Sequence, residues 1–162
     1  METKNLVKQA LIEIKRLKSE KEAPIAIIGM ACRFPNGIQT PEQYWEALIN
    51  KQDCIKPIPQ DRWNMEDYYS SNHAEPGKMY VKEGGFVQQI DHFDADLFKL
   101  PEREIKYMDP QQRMLLEVSW ECLERSGVNP LQLRGTKTCV YLGICTSDYA
   151  LHSIYSQQPD LI

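Results

Sequence analysis

The sequence has no apolar run long enough to cross a bilayer, and its first residues are charged where a secretory signal would be apolar. It also has only three histidines and no excess of positive charge, since its formal net charge is −4. This charge argues against general attraction to nucleic acid or to an anionic membrane. These absences predict a cytoplasmic protein that binds neither nucleic acid nor membrane.

Paired cysteine motifs are missing as well. The five cysteines lie at positions 32, 54, 122, 139 and 145, and none forms a C-x-x-C pair. Three of them lie inside apolar runs, where a reduced thiol behaves as a small hydrophobic side chain. The odd number and the irregular spacing therefore predict reduced, buried thiols and not a disulfide framework.

The clearest helical pattern runs from Met108 to Gly127. Asp109 is suited to cap this helix with Gln112 completing a capping box, Pro110 suits its first position, and Gly127 is suited to end it. Apolar side chains cover a wide arc of the helix, which predicts that it is largely enclosed.

One polar stripe of this helix is left to face water. It consists of Arg113, Glu117, Glu121, Glu124 and Arg125. Glu121 and Arg125 are spaced to form an i,i+4 ion pair along it.

Residues 1–22 have the pattern of a second, amphipathic helix. Val7, Ala10, Ile14 and Leu17 fall at the a and d positions of two heptads, with charged residues around them. One interpretation is a short parallel coiled coil or docking helix over 5–22 that pairs with another subunit or an upstream module. The other is a helix that folds back onto its own domain.

The remaining segments alternate between strands and helices. Residues 25–32 and 138–145 are continuous apolar runs, typical of strands buried on both faces of a parallel sheet. Between them the pattern predicts a helix from Thr40 to Asn50, an ordered irregular stretch over 51–79, and a short strand or hairpin arm at 80–87. A further helix should follow the capping residues at 146–148, and the order as a whole is that of an α/β protein.

Two features resemble functional sites. Gly29 follows a strand, but the second and third glycines of a dinucleotide-binding fingerprint are absent. Asp91, His92, Asp94 and Asp96 are metal-ligand types, yet apolar residues at core spacing separate them and the carboxylates suit turns and caps. We therefore predict no cofactor site and no metal site.

Six short motifs resemble the opening of a β-ketoacyl synthase domain, most closely that of modular type I polyketide synthases. They are PIAIIGMACRFP at 24–35, YWE at 44–46, PQDRW at 59–63, GGF at 84–86, MDPQQR at 108–113 and YLGI at 141–144. The chain departs from the family pattern at 99–101, where a Gly-Ile-Ser-like cap is usual, and at Asn36, where glycine is common. Both departures concern local loop geometry.

The resemblance implies a partial thiolase-like α/β fold, the first part of its N-terminal half. Residues 1–22 would be the linker or docking helix that often precedes such a domain. Residues 23–162 would be the N-terminal portion of the synthase domain, truncated before the nucleophile. The family acts as a homodimer.

The resemblance also implies a reaction, decarboxylative Claisen condensation by an acyltransferase. An acyl group passes from the phosphopantetheine of an acyl carrier protein to a cysteine, and a malonyl-type unit then attacks the thioester. The family's nucleophile lies in an Ala-Cys-Ser-Ser-like turn and is followed by two histidines, all expected beyond Ile162. Cys145 ends a predicted strand before a helix cap, as some nucleophiles do, but its neighbours do not match that turn.

We therefore expect no catalytic residue in this chain, no bound cofactor, and no activity of the chain alone. A second interpretation is a non-catalytic docking or scaffold module that binds a carrier protein or a partner subunit.

Overall fold

The computed structural model describes residues 2–146 and 148–149, apart from the side chains of 2–4 and 20. Helix α1 spans Glu2–Glu22, so the predicted N-terminal helix is confirmed and ends before Pro24. Its described side chains are exposed, including every apolar residue of the heptad seam. This exposure argues against the interpretation in which α1 folds back onto its own domain.

Helix α2 spans Pro41–Ile49 and begins as the sequence predicts. The Thr40 hydroxyl accepts from the backbone N–H of Gln43 at 3.2 Å, and the Gln43 side chain accepts from the backbone N–H of Thr40 at 3.2 Å. This reciprocal capping box satisfies two backbone donors that the first turn leaves unpaired. Ala47 on α2, Ile38 before it and Ile58 after it are the buried apolar residues among those described.

The stretch 51–79 is ordered but mostly irregular, as predicted. Strand β1, Lys56–Pro57, pairs antiparallel with strand β2, Glu83–Gly84, and α3 spans Met65–Tyr68. The predicted strand at 80–87 is therefore shorter than expected. An edge proline in β1 limits the pairing, because it has no N–H to donate.

Three helices follow. Helix α4 spans Ala95–Phe98, α5 spans Glu102–Tyr107, and α6 spans Pro110–Arg125; a short 3₁₀ turn follows at Pro130–Leu133. Helix α5 is absent from the sequence-based prediction. Six residues are too few to establish an apolar periodicity.

Helix α6 begins and ends where its sequence signals predict. The Asp109 carboxylate accepts from the backbone N–H of Gln111 at 2.8 Å, but Gln112 does not complete a capping box. At the other end Gly127 has a positive φ of 72°, and the N–H groups of Gly127 and Val128 donate back to the helix. This is a Schellman motif, which a glycine permits at no steric cost.

The two predicted buried strands are not formed. Residues 25–32 and 138–145 have no regular secondary structure, and Ile25 and Tyr141 are 95% and 91% exposed. Within the described residues neither segment pairs with another strand or is covered on both faces. An unpaired strand leaves its backbone groups without partners, so apolar, β-branched composition cannot hold it in a strand alone. Of the last predicted helix, 148–149 are helical, and the remainder lies outside the described residues.

Candidate functional site

The first apolar segment crosses the C-terminal end of α6 at Gly29. A methyl group added to Gly29 would lie 2.5 Å from the carbonyl oxygen of Cys122 and 2.8 Å from Cβ of Ser126. Only glycine allows the backbone to approach the helix so closely. Gly29 therefore serves packing against α6, which explains this glycine without a bound dinucleotide.

Four residues beyond Gly29, a bidentate ion pair joins the same segment to α6. The guanidinium of Arg33 donates to both carboxylate oxygens of Glu121, with 2.8 Å between Nη1 and Oε2, and also donates to the carbonyl oxygens of Cys32 and Gln39. The Arg33 side chain is 20% exposed and that of Glu121 is 39% exposed. The hydrogen bonds to Glu121 raise the pKa of Arg33. Such charge-assisted, bidentate pairs fix geometry as well as contribute energy.

A second ion pair ties the last turn of α6 to the first turn of α2. Arg125 donates to the carboxylate of Glu42. The pKa of Glu42 lies below its ordinary value, first because its carboxylate accepts from backbone N–H and then because Thr40 and Arg125 are close. Both partners are largely exposed, so this pair orients α2 more than it stabilises it.

Most carboxylates of the polar stripe of α6 are thus hydrogen-bonded or ion-paired. Glu117 accepts from the backbone N–H of Asp94 at 3.0 Å, and Glu124 accepts from the indole N–H of Trp120 at 2.8 Å. The predicted pairing of Glu121 with Arg125 is wrong, because each has a partner elsewhere in the chain. The prediction of an enclosed helix is wrong as well, since no side chain of α6 is fully buried.

The acidic segment 91–96 is built as turn and cap residues. Asp94 caps α4 by accepting from the backbone N–H of Leu97 at 3.0 Å, and His92 lies 3.9 Å from the carboxylate of Asp91. Among the described residues no three histidine, cysteine or carboxylate side chains converge as metal ligands. His73 stacks on Tyr80, with 4.2 Å between the ring centroids. His152 lies outside the described residues.

The thiols differ in their surroundings. Burial raises the pKa of the Cys32 thiol, which lies next to Arg33. Cys139 and Cys145 are exposed, which contradicts the prediction that both are buried. Cys145 precedes Thr146, whose carbonyl oxygen accepts from the side-chain amide of Gln111 at 3.2 Å. The second apolar segment therefore ends beside the first turn of α6.

An open cleft of about 440 Å³ lies beside β1. Its wall includes the turn at Asn36, the β1 residue Lys56, and Arg62, which donates to the carbonyl oxygen of Val87. Asp61 and Asp91 balance the charge of Lys56 and Arg62. The cleft therefore has no net preference for an anion or a cation.

The family model for the N-terminal domain of β-ketoacyl synthases matches residues 22–161. The chain belongs to the β-ketoacyl synthase family. The match begins at the last residue of α1 and continues through both apolar segments. It includes Gly29 and both ion pairs of α6.

Curated relatives of this β-ketoacyl synthase domain belong to polyketide synthases. The chain is 47% identical over 136 residues to one component of the phenolphthiocerol/phthiocerol polyketide synthase of Mycobacterium tuberculosis, covering 83% of this chain and 6% of that protein. It is 44% identical over 140 residues to a spectinabilin polyketide synthase system protein of Streptomyces orinoci, covering 84% of this chain and 6% of that protein. The chain thus spans only a small part of the length of these relatives.

Solved ketosynthase structures share the fold. The ketosynthase from module 6 of the bacillaene synthase of Bacillus subtilis is 33% identical, with a TM-score of 0.68 over 78% of this chain and 21% of that chain. An oxazolomycin ketosynthase domain of Streptomyces albus is 34% identical, with a TM-score of 0.62 over 66% of this chain and 18% of that chain. The chain therefore has a partial thiolase-like α/β fold, as the resemblance implied.

The two departures from the family pattern share one backbone property. Asn36, where glycine is common, has a φ of 68°, and Lys99, at the position of the usual Gly-Ile-Ser cap, has a φ of 53°. Left-handed backbone favours glycine, and among other residues asparagine tolerates it best. The family's glycines are thus explained by backbone geometry, and Lys99 adopts the same geometry at a steric cost.

Sequence reasoning missed the residues that connect α6 to the chain before it. Arg33 is 88 residues from Glu121, and Arg125 is 83 residues from Glu42. A single sequence contains no signal for such a pair, because either charge alone suits a solvated surface. Within the described part of the chain, no helix is both long and apolar enough to cross a membrane.

Proposed function

We propose that the chain supplies the N-terminal part of a polyketide synthase ketosynthase, which catalyses decarboxylative Claisen condensation. The observation that carries the proposal is the family match over 22–161 together with relatives that belong to polyketide synthases. In this reaction a cysteine thiolate takes an acyl group from a thioester. Loss of carbon dioxide from a malonyl-type unit then generates a carbanion, which bonds to the acyl carbonyl carbon and releases the cysteine thiolate.

The role of this chain is structural. Its five cysteines lie outside any Ala-Cys-Ser-Ser-like turn, and the described histidines, His73 and His92, lie against Tyr80 and Asp91. We therefore expect the nucleophile and the two histidines of the reaction to lie outside the chain. The residues of 22–149 hold the scaffold, with Gly29, Arg33 and Arg125 fixing the approach of the first segment and α2 to α6.

The partners we propose are an acyl carrier protein, which presents substrate on phosphopantetheine, and a second copy of the domain. Pairing of two copies should involve α1. Its seam residues Val7, Ile14 and Leu17 are all exposed, although helices in water normally bury such a seam. A seam of this kind is stabilised when another helix covers it.

The charge pattern of α1 favours a parallel, in-register pair of two copies. With Val7 and Ile14 at a, the g position Glu13 of one copy faces the e position Lys18 of the other. One heptad earlier the corresponding g and e positions hold two apolar residues, Leu6 and Leu11, which would also face each other. In the single chain Glu13 pairs with Arg16 on its own helix at 2.7 Å. This exposed pair is weak, so it competes little with a pair between Glu13 and Lys18 of two copies.

A chimeric ketosynthase that contains a segment of this chain tests the proposed function. Residues 22–161 replace the matching segment of the bacillaene module 6 ketosynthase, and acyl transfer from an acyl-pantetheine donor is followed by intact-mass analysis. The expected result is an acyl adduct on the recipient's own nucleophile, with the unmodified recipient as the reference. A chimera that folds as a dimer and takes no acyl group would contradict the proposal.

The same assay on the 162-residue chain tests its structural role. We expect no adduct, because none of its cysteines has an activating neighbour of the kind the reaction needs. Stoichiometric acylation of any cysteine of the chain would show that the nucleophile has been assigned to the wrong part of the enzyme.

A further inference from the structure

Asn36 and Gly37 lie side by side in one turn between Phe34 and Ile38. Both residues have left-handed backbone, with φ values of 68° and 76°. A single isolated bridge closes the turn, in which the N–H of Phe34 donates to the carbonyl oxygen of Ile38 at 2.9 Å. Asn36 and Gly37 are half-buried and Ile38 is buried, so any rearrangement of the turn requires local opening of this bond.

We propose that Asn36 is a site of spontaneous covalent modification, in which its side-chain amide is lost through a cyclic imide. The backbone nitrogen of Gly37 attacks the Asn36 side-chain carbonyl carbon and loses its proton, and the side-chain nitrogen leaves as ammonia. Water then opens the imide at either carbonyl, which yields aspartate or isoaspartate. Water is the only co-reactant, and no oxidant or reductant is needed.

The residue that follows each asparagine decides where this reaction runs. Attack requires the following nitrogen to approach the side-chain carbonyl carbon, and a side chain on that residue hinders the approach. Gly37 has none, whereas the asparagines at 5, 50, 64 and 72 are followed by larger residues, namely Leu6, Lys51, Met65 and His73. Asn129 precedes Pro130, which has no N–H to lose. The chain thus contains its own series of controls.

Packing around the turn does not block the reaction. The nearest neighbour of the Cβ position at Gly37 is the side-chain oxygen of Gln88 at 3.4 Å, the end of a flexible side chain. Ring closure needs rotation of the backbone at Asn36, which the Phe34–Ile38 bridge and the hydrogen bond from Arg33 to the Gln39 carbonyl oxygen both resist. The rate should therefore follow the opening of this bridge.

The products change the cleft beside the turn. Aspartate tolerates left-handed backbone, so it adds a negative charge at a wall that already contains Asp61 and Asp91. Isoaspartate inserts a methylene group into the main chain, which shifts the register of the Phe34–Ile38 bridge. Loss of the Asn36 amide therefore gives the cleft a net negative charge. The isoaspartate product also becomes a substrate for isoaspartate-specific methylation.

Peptide mapping of the full chain after incubation at mildly alkaline pH tests the proposal. We expect the peptide with Asn36 to gain acidic forms before any other asparagine peptide, isoaspartate methylation to label it, and Asn36→Gly to remove the early acidic species on ion exchange. Unfolding in urea should accelerate the reaction at Asn36, because the bridge is lost. Loss of amide at Asn50, Asn64 or Asn72 as fast as at Asn36, or an unchanged acidic profile in Asn36→Gly, would overturn it.

Discussion

Replacing Gly29 by alanine should destabilise the chain by overpacking the crossing of the first segment and α6. The added methyl group would lie 2.5 Å from the Cys122 carbonyl oxygen and 2.8 Å from Ser126 Cβ, so backbone must move. Overpacking of this kind costs about 1–3 kcal/mol, and the lower entropy of an unfolded chain with alanine offsets about 0.4–1 kcal/mol of it. The net loss should be on the order of 1–2 kcal/mol.

Gly143 provides a matched control in the second apolar segment. No heavy atom lies within 4 Å of a Cβ built there, so Gly143→Ala should be neutral or slightly stabilising. The two substitutions are chemically identical, and only Gly29→Ala is expected to lower the stability. The difference isolates the contact with α6 from any general effect of alanine.

Urea unfolding followed by tryptophan fluorescence measures both variants. The midpoint of Gly29→Ala should fall by roughly 1 M for a protein with an ordinary dependence on urea. Ser126→Gly in the Gly29→Ala background should restore only part of the loss, since the Cys122 carbonyl oxygen remains in place. Equal midpoints for Gly29→Ala and Gly143→Ala would refute the close crossing.

Three further predictions concern local features. Lys99→Gly should raise the urea midpoint, because glycine relieves a left-handed backbone that costs about 1–2 kcal/mol. The control Lys106→Gly, inside helix α5, should lower the midpoint. A lower midpoint for Lys99→Gly would contradict the left-handed cap. Ile14→Asp should weaken self-association in sedimentation experiments, because it places a charge in the seam of α1. The control Ile12→Asp, on the opposite face of the helix, should leave self-association unchanged. Equal effects of the two substitutions would exclude the proposed seam. Folding lowers the pKa of Glu42, so its contribution to stability is present above its ordinary pKa and disappears as the pH falls through the folded value. Glu42→Gln should therefore flatten the acid side of a plot of melting temperature against pH. An unchanged slope would show that Glu42 contributes nothing to this pH dependence.

The helix ends could be predicted because their interactions are local. Thr40 bonds to a residue three positions later, Asp109 to one two positions later, and the positive φ of Gly127 belongs to one residue. Such contacts form in nearly the same way whatever else surrounds the helix. Pro110 at the first helical position acts through its own fixed backbone angle.

The strands could not be predicted correctly from the same information. The apolar runs at 25–32 and 138–145 have the composition of buried strands, yet composition sets only a preference. A strand exists when a neighbouring strand accepts and donates its backbone hydrogen bonds. Whether a partner is present depends on the arrangement of the whole fold, which no local window of sequence contains.

The candidate site likewise has local features that could be predicted and long-range contacts that could not. The sequence by itself determined the family through six motifs, the capped helix starts and the end of α6 at Gly127, because each depends on residues close together in the chain. Only the tertiary structure decided that Glu121 pairs with Arg33 and not with Arg125 four residues away. Helical spacing makes the i,i+4 pair available at little energy, and a bidentate partner brought from 88 residues away displaces it because its geometry is better and it is less exposed to water.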